Sequence, residues 1–175
     1  GKSNTLLRLA AGTVVAKAGS IYLSTGANAT SLSSLKAYSG IIVRSQANIT
    51  ADQVDAGTGA LSIQTSNGSI LGQTGNLLSG QSVALSATQD LGNAATRLRT
   101  RTAILSLTGG ADIYVDNTEK SLDQLSIVHT HADDTVLNTL SVTSPYLDFD
   151  VTDLADGYHL NKVYSTPLTT FSFSG

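Results

Sequence analysis

With 175 residues, 10 basic and 13 acidic side chains and no cysteine, the chain has room for one domain and carries a net charge of −3. That balance, with no aromatic residues interleaved among the basic ones, argues against nucleic acid as a partner. No run approaches the roughly 18 apolar residues of a membrane helix, and a disulfide framework or thiolate metal site is excluded outright.

Residues 1–20 read as a leading coil, with Leu6, Leu7 and Leu9 followed by a short strand at Val14-Val15. Gly1-Lys2-Ser3 matches the tail of a phosphate-binding loop, but the glycine-rich half that wraps the phosphate is missing, so no nucleotide is expected. These first residues do not have the form of a signal peptide, which suggests a piece of a longer protein.

From residue 21 a short apolar phrase recurs. It appears as Ile21-Tyr22-Leu23, Ile41-Ile42-Val43, Leu61-Ser62-Ile63, Val83-Ala84-Leu85, Leu105-Ser106-Leu107, Leu125-Ser126-Ile127 and Leu147-Asp148-Phe149. Successive steps are 20, 20, 22, 22, 20 and 22 residues, a period that signals a solenoid. Within each repeat apolar residues alternate with small ones at period 2, which is a strand pattern. Helical repeats would need longer runs at period 3.6, and the framework of a leucine-rich repeat does not recur. About 21 residues suffices for three short strands and three turns, one coil of a parallel β-helix. The first and third residues of each phrase should point inward and the middle one outward. Tyr22, Ile42, Ser62, Ala84, Ser106 and Ser126 would then form a flat, nearly uncharged outer row. The narrow interior of stacked coils also accounts for the absence of Met and Trp.

Arg97, Arg99 and Arg101 alternate with Leu98 and Thr100 on what should be the third strand of one coil. They read as a cationic row, either solvated and paired with acids of the next coil such as Glu119 and Asp123, or able to bind sulfated or carboxylated glycans.

The run from Gly68-Ser69-Ile70 through Val83-Ala84-Leu85-Ser86-Ala87-Thr88-Gln89-Asp90-Leu91-Gly92 to Leu105-Ser106-Leu107-Thr108-Gly109-Gly110-Ala111-Asp112-Ile113-Tyr114-Val115-Asp116-Asn117 resembles the repeat region of bacterial large exoproteins. These are the filamentous-haemagglutinin-like adhesins, many of them exported by two-partner secretion. The resemblance covers residues 60–120 best. It implies a right-handed parallel β-helix, extracellular or on the bacterial cell surface, that meets glycans or proteins of a host or neighbouring cell. The implied hand agrees with the rule for parallel crossovers.

Residues 125–175 depart from the pattern. Both prolines and six of the nine aromatics lie beyond residue 144. A solenoid leaves an unpaired strand edge at its end, and bulky residues suit a cap over it. The expected division is therefore β-helix coils over 1–144 and a C-terminal cap or transition segment over 145–175. Two clusters in this part could hold a metal. His129 and His131 read as an outward pair near Asp133 and Asp134, a set that could ligate a transition metal. Asp148, Asp150, Asp153 and Asp156 offer hard oxygens suited to Ca²⁺, at a spacing unlike that of the EF-hand. In both cases the plain alternative is a solvated turn.

Polysaccharide lyases and hydrolases share the expected fold, but their sites need carboxylates with basic partners in a groove of long loops. Such residues are sparse here, and fold alone confers no activity. The expectation is an all-β, right-handed parallel β-helix of about 7–8 coils with an irregular cap. Its expected role is structural or adhesive, non-catalytic and without a cofactor. The alternative is a polysaccharide-active enzyme or glycan-binding module. Charge asymmetry along the chain adds head-to-tail self-association as a further expectation.

Overall fold

The structure, a computed structural model, describes residues 13–118, 122–130, 139–144, 151–154, 157–160 and 171–174. They form a parallel β-solenoid of about six turns without a helix, built from two eight-stranded sheets. One sheet holds the repeated phrase: β2 (Ser20–Ser24), β4 (Gly40–Ser45), β6 (Ala60–Thr65), β8 (Ser82–Ser86), β10 (Ile104–Gly109) and β12 (Gln124–His129). The other stacks β1 (Thr13–Ala16), β3 (Thr30–Ala37), β5 (Ile49–Asp55), β7 (Ile70–Ser79), β9 (Leu98–Arg101), β11 (Ile113–Asn117) and β13 (Thr139–Thr143).

The phrase register is the one the alternation predicts. Ile41, Leu61, Val83, Leu105 and Leu125 stand above one another, as do Val43, Ile63, Leu85, Leu107 and Ile127. All ten are buried, at 1% exposure or less. The middle residues face outward, ending in Ser62, Ala84, Ser106 and Ser126 on successive rungs. A shift of one residue would turn every one of these apolar side chains to solvent, so burial of one face pins the stacking.

The expected three strands per coil become two. In β3, β5 and β7 the second and third run on as one strand, with a kink in the pleat where inward–outward alternation breaks, between Leu32 and Leu35 and between Ala51 and Val54. Before the kink, Ile49, Ile70, Leu91 and Ile113 form a buried column. After it, Leu35, Val54 and Leu78 stack and then give way to Thr100 and Asn117. These two polar residues are buried but bonded: Thr100 Oγ1 donates to Asn117 Oδ1 at 3.0 Å, and Asn117 Nδ2 donates to the Thr102 carbonyl at 3.1 Å. Buried polar groups are tolerable on those terms.

A second ladder, of side-chain oxygens, climbs the corner before the Ile49 column. Asn48 Oδ1 accepts the Ser69 amide at 2.9 Å, Ser69 Oγ accepts the Asp90 amide at 3.2 Å, and Asp90 Oδ1 accepts the Asp112 amide at 3.2 Å. Gly68 fits only as glycine here: its φ is +140°, and a Cβ would lie 2.2 Å from Asn48 Oδ1.

The coil count is lower than the 7–8 expected. Against β12 lies β15 (Gly157–Leu160), which runs antiparallel and pairs in turn with β14 (Val151–Leu154). Against β13 lies β16 (Phe171–Ser174), also antiparallel. Parallel stacking of the phrase therefore ends at β12, and the seventh phrase, Leu147-Asp148-Phe149, lies outside the described residues.

Candidate ligand cleft

Two successive coils are longer than their neighbours, and their extra residues leave the solenoid at one corner. Ala51 and Gln53 are two residues apart on β5, while their partners Gly72 and Leu77 on β7 are five apart. One coil on, Leu91 and Leu98 are seven apart, while their partners Ile113 and Val115 are two apart. The loop 73–76, an excursion within β7, and the loop 92–97 thus project side by side.

Asn76 ties the two loops together. It is only 2% exposed, and its Nδ2 donates to the carbonyls of Gln73 at 2.8 Å and Arg97 at 2.9 Å. Its Oδ1 accepts the Arg99 amide at 2.8 Å. Gly72 makes room for it, since a Cβ there would lie 2.4 Å from Asn76 Nδ2. From the coil before, Gln53 Nε2 supports the first loop through the Gly75 carbonyl at 2.8 Å. The second loop closes on Asn93, whose Oδ1 accepts the amides of Ala95 at 3.0 Å and Thr96 at 2.7 Å, a local turn for which asparagine is suited.

Between the loops lies an open cleft of about 240 Å³, lined by residues that include Gln73, Thr74, Thr96, Arg97, Arg99 and Asp116. The expected row of three arginines is divided. Arg97 precedes β9 and runs across the next two coils: Nε donates to Asp116 Oδ1 at 2.5 Å, Nη2 to the carbonyls of Val115 at 3.1 Å and Ser141 at 2.7 Å, and Nη1 to Ser141 Oγ at 3.0 Å. Its guanidinium also lies 5.6 Å from the Tyr114 ring centroid, a cation–π distance. Asp116 further accepts from Thr143 Oγ1. Arg99 points outward on β9, is exposed, and makes no side-chain hydrogen bond or ion pair among the described residues. Arg101 is half-buried and does not line the cleft.

The acid that answers Arg97 is Asp116; Glu119 lies outside the described residues and Asp123 is exposed. Asp116 stands on the adjacent coil, nearer in the chain than the Glu119 and Asp123 expected from the sequence. The coil register sets Asp116 opposite Arg99, and Arg97 reaches it diagonally from two residues before.

The histidine expectation is corrected at His129. It is 2% exposed, not outward, and its Nε2 lies 2.8 Å from the Ala111 carbonyl oxygen. His129 has the parity of Leu125 and Ile127 and so shares their inward face. His131, Asp148 and Asp150 lie outside the described residues, and Asp153 falls on β14, which is described by its backbone course. Among the described residues, no three His, Asp or Glu side chains converge as a metal site would require.

Comparison of the chain with family models, with curated proteins and with solved structures gives no match.

Proposed function

We propose that this chain is a structural and adhesive segment of an extracellular bacterial adhesin or surface filament, non-catalytic, that meets the surface of a host or neighbouring cell. The observation that carries the proposal is the outer face of the phrase sheet. Its three outward columns run through Ser20, Tyr22 and Ser24 at one end to Gln124, Ser126 and Val128 at the other, six rungs in register. Arg44 is the one charged side chain among them, and Tyr22, Ile42 and Ile104 are 63%, 39% and 37% exposed. Such a face loses little charge solvation when covered, and every strand behind it except β2 is held from both sides by its neighbours. The resemblance of residues 60–120 to exoprotein repeats points the same way.

The test is adhesion. Beads coated with the chain should adhere to cell surfaces, and soluble chain should compete. Ser62→Glu with Ala84→Lys and Ser106→Glu, which alternate in sign along adjacent rungs, should cut adherence at least tenfold while the β circular-dichroism signal remains. Coated beads that adhere no better than bare ones would sink the adhesive reading. Incubation with pectin, alginate and hyaluronan should release no reducing ends, and product formation would overturn the non-catalytic part.

A further inference from the structure

We infer that the cleft between loops 73–76 and 92–97 binds one carboxylate-bearing sugar residue, a hexuronate carried on a glycan, with Arg99 as its ion partner; the inference deepens the adhesive reading and rests on it. Charge comes first. Arg97 and Asp116 answer each other at 2.5 Å, so the surplus charge of the cleft is the single positive charge of Arg99. An exposed guanidinium presents a planar fork that matches a carboxylate in a bidentate pair. One surplus charge calls for one carboxylate.

The remaining lining suits a sugar ring. Gln73 and Thr74 are exposed and offer an amide and a hydroxyl, Thr96 adds a second hydroxyl, and Ala94 and Ala95 present methyl groups to the C–H face of a ring. An acidic peptide would need a groove or a free strand edge, and the cleft offers neither among the described residues. The cleft of about 240 Å³ is smaller than the roughly 300–1,000 Å³ pockets that enclose drug-sized ligands, and being open it can seat one ring while the rest of a glycan stays in solvent. The site is also held ready before a ligand arrives. Asn76 ties both loops and Arg97 anchors the second loop to two further coils, so binding has to order only exposed side chains such as Arg99 and Gln73.

The experiment is a heteronuclear NMR titration of the full chain with methyl β-glucuronide, sodium glucuronate, glucose and a Glu-Glu dipeptide. Both uronates should shift the same amides, confined to Gln73, Thr74, Thr96 and Arg99, with similar affinity. Glucose, which lacks the carboxylate, should bind at least tenfold more weakly. Arg99→Ala should also lower uronate affinity at least tenfold with an unchanged melting temperature, because the side chain it removes is exposed, and Arg99→Lys should restore part of it. The inference is overturned by no shift at tens of millimolar uronate, by shifts elsewhere on the chain, by equal binding of glucose or by undiminished binding to Arg99→Ala. Failure of the glycoside beside a binding free uronate would overturn it too, as would tighter binding of the dipeptide. The titration involves no cell, so its failure would leave adhesion through the phrase sheet standing, and failed adhesion would leave uronate binding in the cleft without its adhesive role.

Discussion

Leu107 shows how much one inward position carries. It lies between Leu85 and Ile127 on adjacent rungs and has no exposed surface. Leu107→Asp would bury a carboxylate with no partner in an apolar column, at a cost of several kcal/mol, enough to unfold a domain of ordinary stability. Denaturant unfolding checks this, and a wild-type midpoint would refute the register. A charged residue at the surface behaves differently. Burial alone would push the Asp55 carboxyl up, but the Gly57 amide at 3.0 Å, Lys36 at 3.2 Å and Ser79 at 3.1 Å together hold it below its ordinary 3.8. A folded-state pKa below the unfolded one stabilises at pH above the unfolded value, and that contribution is lost as pH falls through the folded one. The melting temperatures of wild type and Asp55→Asn should therefore differ most near pH 6 and converge as the pH is taken below about 4. A gap that stays constant down to pH 2 would show that the contacts around Asp55 do not depend on its charge.

Among the elements, the ledge formed by loops 73–76 and 92–97 depends on Asn76 more than on its own backbone. Asn76→Ala would take from the Arg99 amide and the carbonyls of Gln73 and Arg97 the partner that the buried Asn76 side chain gives them. Each buried group left unsatisfied costs about 1–3 kcal/mol, and part of that is recovered where the loosened loops admit water. The expected outcome is a drop of about 1–3 kcal/mol in unfolding free energy. Amide exchange should speed up at Arg99, with little change at the rungs of β6 and β8. Uniform acceleration across the solenoid would instead mean that the ledge and the coils open as one unit.

At the scale of the molecule, charge is distributed along the stacking axis. Residues 1–110 hold eight basic and three acidic side chains, a net of +5, and residues 111–175 hold two basic and ten acidic, a net of −8. Among the described residues coils stack in sequence order, and along the sequence the basic surplus comes first and the acidic surplus after it. We propose that opposite ends attract and that copies associate head to tail, a contact that does not close on itself and so extends into a filament. Exposed charges more than about 8 Å apart are screened at physiological salt, so association should weaken as salt rises. Sedimentation at low and high salt reads this directly. A monomer at both, well above micromolar concentration, would rule the filament out.

The recurrent phrase and its alternation contain the architecture. A strand with one buried face has a single register that keeps Leu61, Val83, Leu105 and Leu125 out of water, so the solenoid and its core columns follow from residue order alone. The same parity rule, carried one step further to His129, would also have placed that residue inside. Local alternation does not reveal what one coil sets against the next. Arg97 meets residues 19 and 44 positions away, Asp116 and Ser141, because the stacking sets their strands beside its own coil. Arg99, two residues further along the chain, is left in an open cleft. The number of coils was likewise decided in three dimensions, where β15 and β16 pair antiparallel with the last rungs and end the parallel stack. Periodicity specifies how each rung faces the core, but where ladders stop and which charges meet depends on contacts between residues distant in the chain.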